Sequence, residues 1–231
     1  MKRSTFVPFL FAGCALLLSG CASKLASPEQ YSGFMKDYSG LEEAETASGK
    51  PVMRWIAKDF NPEDYHSVIY QPVVYYPEPK PTTQIGKETL DKILSYTDIQ
   101  MKDAVSKRYP LVDKPGKGTL VFRSAITAVD TSNQGLQFYE VLPITLALAG
   151  TEYVTGYRTQ DTHLYFEGEL IDSQTHKVVA KFVRKGQGKQ ISNASKLLTL
   201  NDMKGVVDDL AKDTRNFKVA KRDGSATVTG S

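Results

Sequence analysis

Apolar and polar positions follow three different periods along this chain, and each period predicts a different kind of element. Phe6 to Leu18 is a nearly unbroken apolar run behind Lys2 and Arg3, interrupted mainly by Pro8 and Gly13. It falls short of the ~20 apolar residues that span a bilayer and fits the hydrophobic core of a secretory signal. Ala22 to about Gln30 is small and polar and reads as a flexible tether. Tyr31, Phe34, Tyr38 and Leu41 are expected to clasp the domain that follows. Glu42 to Lys50 is polar, acidic and glycine-ended, hence a loop, and Met53, Trp55 and Ile56 open an extended segment.

Beyond this point the periods alternate. Asn61-Pro62-Glu63-Asp64 predicts a short helical turn capped by Asn61. Val68 to Tyr76 is rich in β-branched and aromatic residues and predicts a strand, with Pro72 confining it to an edge or a bulge. After the stiff Pro77, Pro79 and Pro81 connection, Ile85 to Tyr109 carries Leu90, Ile93, Leu94, Thr97, Met101, Ala104 and Val105 at three- and four-residue steps. That spacing predicts a long helix, stopped by Pro110. Thr119 to Val129 is a second strand. Thr162 to Ile171 and Lys177 to Arg184 form a hairpin around Asp172-Ser173-Gln174-Thr175, with Leu164, Phe166 and Leu170 facing Val178, Ala180 and Phe182. Asn201 is expected to cap a last helix whose buried stripe is Met203, Val206, Val207, Leu210, Ala211, Thr214 and Phe217. The expected fold class is α+β: a small mixed or antiparallel sheet of about four strands carrying a long helix and a C-terminal helix.

Composition narrows the class. Of 231 residues, 41% are hydrophobic and 24% charged, which excludes a largely disordered chain, and a mean hydropathy of −0.32 excludes a polytopic membrane protein. The formal charge of +3 falls to +1 once Lys2 and Arg3 leave with the signal. Such a balance gives no general attraction to nucleic acid.

The signal ends in Leu18-Ser19-Gly20-Cys21. Small residues at 19 and 20 seat the chain in a peptidase, and the Cys21 thiolate is placed to form a thioether with a diacylglycerol. The segment resembles the lipobox of bacterial lipoproteins. Cys14, the other cysteine, leaves with the apolar run, so Cys21 has no partner for an internal disulfide. By resemblance to the enterobacterial signals, Ala22 in place of aspartate implies the outer membrane, on its periplasmic face. Buried acyl chains contribute ~0.8 kcal/mol per CH₂, so a multiply acylated terminus anchors stably. The expected organisation is a signal peptide over 1–20, a lipidated tether over 21–30, one domain over 31–217 and a disordered tail over 218–231.

Candidate chemistry is sparse. Val141 to Gly150 is the most apolar stretch after the signal. It reads either as a short core helix or as an exposed interaction patch of Leu142, Ile144, Leu146 and Leu148 with Tyr153 and Tyr157 nearby. His66, His163 and His176 are the only histidines, and none has metal-ligand spacing, so no metal or cofactor is expected. There is no Gly-x-Ser-x-Gly elbow and no complete phosphate loop, since Gly116-Lys117-Gly118 and Gly186-Gln187-Gly188-Lys189 lack the full pattern. Glu167 and Glu169 share one strand face roughly 7 Å apart, a spacing a glycosidase pair can use, but charge on the solvent face of a hairpin explains them as well. Asp208 and Asp209 read as a solvated helix face. Twelve tyrosines suit interfaces and sugar stacking, or rim packing around the sheet. Lys218, Lys221 and Arg222 in the tail read either as contacts for anionic headgroups or phosphates, or as charges that only keep a frayed end soluble.

A family resemblance runs through these segments. Tyr31-Ser32-Gly33-Phe34 with Asp37-Tyr38-Ser39 and Leu41, and Tyr65-His66-Ser67-Val68-Ile69 leading into Pro72-Val73, begin it. Ala125-Ile126-Thr127-Ala128-Val129-Asp130, the Val141-Leu142-Pro143 to Gly150 run and Glu167-Gly168-Glu169-Leu170-Ile171-Asp172-Ser173-Gln174-Thr175 continue it. Together they resemble an uncharacterised bacterial lipoprotein family, the domain of unknown function 3313. The resemblance implies a small periplasmic α/β module on a lipid anchor and brings no catalytic residues. The expectation is a non-enzymatic binding or scaffolding module of the envelope. It would be held to the membrane by its N-terminal lipid and meet an envelope protein, a glycan or a second copy of itself. An envelope-polymer hydrolase and a carrier of an apolar ligand are the alternatives.

Overall fold

The computed structural model describes residues 24–131, 159–193 and 195–217. Its frame is one mixed sheet: β1 (Glu42–Glu45), β2 (Pro51–Ile56), β3 (Ser67–Tyr70), β4 (Val74–Tyr75), β5 (Thr119–Asp130), β6 (His163–Asp172) and β7 (Val178–Gln187). The order is β1-β2-β7-β6-β5-β3, with β4 also on β5. Two helices, α1 (Lys87–Ser106) and α2 (Leu200–Arg215), complete the α+β fold. No helix among the described residues is long and apolar enough to cross a membrane.

The sheet has seven strands, not about four. One reason is that the extended segment expected at Met53, Trp55 and Ile56 is a full strand, β2. A second is Pro72. The expected strand from 68 to 76 breaks around it into β3 and β4, both parallel to β5, and Asp98 Oδ1 accepts from the freed Val73 N–H at 2.8 Å. The edge position expected from the proline is the one observed. The third reason is β1, which replaces the expected loop. Glu42-Glu43-Ala44-Glu45 has no apolar period to reveal it, yet it pairs antiparallel with β2, placing Ala44 opposite Val52. Three glutamates on an outer strand also discourage edge-to-edge association.

Parallel neighbours need a long crossover, and α1 supplies it between β4 and β5. Its buried positions are Leu90, Ile93, Thr97, Met101, Ala104 and Val105. The cap of α2 is Thr199, not Asn201: Asp202 reaches back to the Thr199 N–H and hydroxyl, at 2.9 and 2.7 Å, which closes a capping box. Met203, Val206, Val207, Leu210 and Ala211 face inward. Both helices lie on one side of the sheet, over Val68, Leu120, Phe122, Ile126, Leu164 and Phe166. The other side is covered by the segment before β1, through Ala26, Phe34 and Met35 against Ala125, Tyr165 and Val183. Tyr31, Tyr38 and Leu41 join this second cluster, so the expected clasp exists. It begins earlier than expected: Ala26 is buried, and Pro28–Gln30 form a 3₁₀ turn where a tether was anticipated.

Candidate functional site

The two sides of the sheet offer different chemistry. Under the clasp, Glu167 and Glu169 are 0% and 5% exposed, which corrects their expected place on a solvated hairpin face. The alternation did put them on one face; a cover of irregular chain then buried that face. Glu167 accepts from the Ser32 N–H at 2.9 Å and the Tyr38 hydroxyl at 2.5 Å. The Tyr38 oxygen in turn accepts from the Gly33 and Met35 N–H groups. Glu169 pairs with Arg123 at 2.8 Å, and the Arg123 guanidinium donates to the Phe34 carbonyl and lies 4.2 Å from the Phe34 ring centroid. Lys181 bonds Asp37 at 2.8 Å and stands over Trp55. Gly40, at φ +74°, is the residue that lets this chain pass the indole, since a Cβ there would sit 2.7 Å from Trp55.

Burial raises both glutamates above the usual carboxylate range. For Glu167 the bonds from Tyr38 and Ser32 pull the other way, and for Glu169 the charges of Arg123, Lys181 and Lys36 do so. Tyr38 is pushed up to about 12 by burial and by the carboxylate beside it. A raised carboxylate is the form a general acid takes. Here, however, both oxygens of Glu167 and one of Glu169 are taken by protein donors, and neither residue lines the large cavity of the opposite face. The arrangement fastens the clasp.

The cavity lies on the opposite side, between the sheet and the C-terminal ends of the two helices, with a volume of about 580 Å³. Its floor is apolar and buried: Val68, Leu120 and Phe122 from the sheet, Val105 from α1 and Leu210 from α2. Its exposed edge is built by Glu45 at the end of β1, Ala47 of the β1–β2 turn and Asn216 after α2. Half-buried Arg54, Arg108, Tyr109 and Phe217 stand between floor and edge. Arg54 and Arg108 approach the Phe217 ring to 5.8 and 5.7 Å from its centroid. Deeper in the wall, Arg184 bonds Asp213 at 2.6 Å, with both side chains almost fully buried, and Asp213 also accepts from the Ser48 N–H. Among the described residues the Arg184 Nε–H has no acceptor.

Sequence reasoning missed this cavity. Its lining comes from strands, helices and turns far apart in the chain, and no local pattern marks Arg54, Arg108 or Arg184. Cys21, Leu142, Ile144, Leu146, Leu148, Tyr153, Tyr157 and the 218–231 tail lie outside the described residues. The histidines do not converge. His66 packs beside Gly118, His176 sits at φ +56° in the β6–β7 turn, and His163 opens β6, held below its ordinary pKa first by burial and then by Lys185. Among the described residues no group of three or more His, Cys, Asp or Glu is gathered to hold a metal.

With this geometry in hand, comparison with known proteins places the chain. Residues 30–214 match the model of a family described as "Protein of unknown function (DUF3313)". The chain belongs to that family. It is 52% identical over 221 residues to the "Uncharacterized lipoprotein YdcL" of Escherichia coli (strain K12), covering 95% of this chain and all of that one. The same values hold for the protein of that name in Escherichia coli O157:H7. Among solved structures, a PelC dodecamer from Paraburkholderia phytofirmans aligns over 72% of this chain and 98% of its own, at 11% identity and a TM-score of 0.32. A putative neuraminyllactose-binding hemagglutinin homolog from Helicobacter pylori aligns over 76% of this chain and 92% of its own, at 7% identity and a TM-score of 0.38. Likeness at that level carries nothing about activity.

Proposed function

We propose that this protein is an envelope lipoprotein, anchored through a diacylglyceryl group on Cys21 at the periplasmic face of the outer membrane. Its domain works there without catalysis, holding a ligand with an apolar body in the cavity between sheet and helices. The cavity carries this reading: about 580 Å³ of space over buried aliphatic and aromatic side chains, with a few polar groups at its edge. Ligand sites typically combine a volume of ~300–1,000 Å³ with such a lining. The lipobox Leu18-Ser19-Gly20-Cys21 and the 52% identity to an uncharacterized lipoprotein support the anchor. Lipidation raises the effective concentration of the domain near membrane-derived ligands. Glu167 works against a hydrolase, because Ser32 and Tyr38 of the clasp occupy both of its oxygens.

The test is uptake of a neutral apolar probe, 1-decanol carrying a photoreactive diazirine, by the full lipidated chain in phosphatidylcholine nanodiscs. Crosslinks at Val105, Leu120, Phe122 or Leu210 are expected, and their loss in Leu210→Trp. Labelling confined to the surface would refute the reading.

A further inference from the structure

The cavity is amphipathic, and at its polar end cationic side chains outnumber carboxylates. Arg54 and Arg108 line it at half-buried positions, and among the described residues neither has a carboxylate partner. Arg108 donates only to the Arg215 carbonyl, at 3.3 Å. Burial alone lowers the pKa of Arg54, so its guanidinium is partly stripped of water without a compensating anion. The third arginine of the lining, Arg184, is spoken for by Asp213 through one nitrogen and keeps an unsatisfied Nε–H. Against these three cations stand Asp213, already paired, and the exposed Glu45. A buried donor without an acceptor is costly, and a guanidinium fork matches carboxylate and phosphate oxygens.

We propose that the cavity binds a single-chain amphiphile with an anionic oxygen head, a fatty acid or a lysophosphatidate. The acyl chain lies on Val68, Leu120, Phe122 and Leu210, and the head sits between Arg54 and Arg108 beside Phe217. This inference rests on the cavity being a ligand site, and adds the chemistry of the ligand. The chain's own C-terminal residues are a poorer occupant, since Lys218, Lys221 and Arg222 follow Phe217 directly and carry the charge of the arginines. Aromatic Phe217, with both guanidinium groups near its ring, is placed to cover the head once it is bound.

The experiment uses the full lipidated chain in phosphatidylcholine nanodiscs and two photoreactive probes of equal length, a diazirine fatty acid and the matching diazirine alcohol. The acid is expected to label the cavity at lower concentration than the alcohol. In the double variant Arg54→Gln, Arg108→Gln its half-saturating concentration should rise about tenfold or more, the loss of one or two charge-assisted hydrogen bonds. Alcohol labelling should stay within about twofold, which also shows that the variant is folded. Oleate and oleoyl lysophosphatidate are then used as competitors. Displacement by either supports the proposal, and the stronger competitor assigns the head as carboxylate or phosphate. Equal labelling by acid and alcohol, unchanged by the arginine substitutions, overturns the anionic head while leaving an apolar ligand site. Labelling by neither probe overturns both. Labelling that appears only after residues 218–231 are deleted assigns the cavity to the chain's own terminus and overturns the proposal.

Discussion

The two faces of one sheet solve opposite problems. Under the clasp, the chain buries two carboxylates and a lysine beside a half-buried arginine, and gives each charge a partner: Tyr38 and Ser32 for Glu167, Arg123 for Glu169, Asp37 for Lys181. Under the helices, the walls are apolar and space is left open, with two arginines lacking carboxylate partners among the described residues. A satisfied polar network fixes one arrangement and leaves no room for another molecule. An apolar face with unfilled volume and unpaired cations is poised to accept one. Burial alone therefore does not separate structural charge from functional charge; the partners do.

The comparison breaks most visibly at Arg184–Asp213, a buried ion pair of the helix face. Asp213→Ala leaves Arg184 buried without its carboxylate and frees the Ser48 N–H, so a loss of ~3–5 kcal/mol is expected from the urea midpoint at unchanged slope. Replacing both partners, Arg184→Met with Asp213→Leu, should recover most of that loss. Next in size is Tyr38→Phe on the clasp face. It removes a donor to Glu167 and an acceptor for Gly33 and Met35, and about 1–3 kcal/mol is expected.

The clasp face also sets a pH dependence. Because burial raises Glu167 and Glu169 above their unfolded values, the folded state binds their protons more tightly than the unfolded chain does. Their contribution favours folding as pH falls through the folded pKa and opposes it as pH rises. Asp37 and Asp172 are held below the ordinary range, Asp37 first by its bond to Lys181 and Asp172 first by the Thr175 N–H, so their contribution is lost only in stronger acid. His163, held low by burial, pulls the other way, so in a His163→Gln background urea midpoints should rise on mild acidification from neutrality and fall again in strong acid. Glu167→Gln should flatten the first limb. The smallest expected effect is on the helix face: Leu210→Phe projects into open volume, so stability should move by no more than ~1 kcal/mol while uptake of the decanol probe weakens.

How much of this was legible in the sequence depends on whether a feature is local. The three- and four-residue spacing from Leu90 to Val105 and from Met203 to Ala211 marked both helices and their buried faces. The Asp172 turn, whose carboxylate takes the Gln174 and Thr175 N–H groups, marked the hairpin. Glu42–Glu45 was not readable as a strand because its register comes from β2 and not from any apolar period of its own. The period of Glu167 and Glu169 gave their shared face but not the burial of that face, which depends on contacts with residues about 130 positions earlier. The cavity is the extreme case. Arg54, Arg108, Arg184 and Phe217 line one cavity only because two strands, β2 and β7, pass beneath the C-terminal ends of two helices.

The most direct measurement is methyl NMR of the full chain in nanodiscs during titration with 1-decanol. Shifts at Val68, Val105, Leu120 and Leu210, with Ala125, Met53 and Val183 unmoved, are expected if the helix side holds the ligand and the clasp side is solid. Equal shifts on both sides, or none on the helix side, would contradict it.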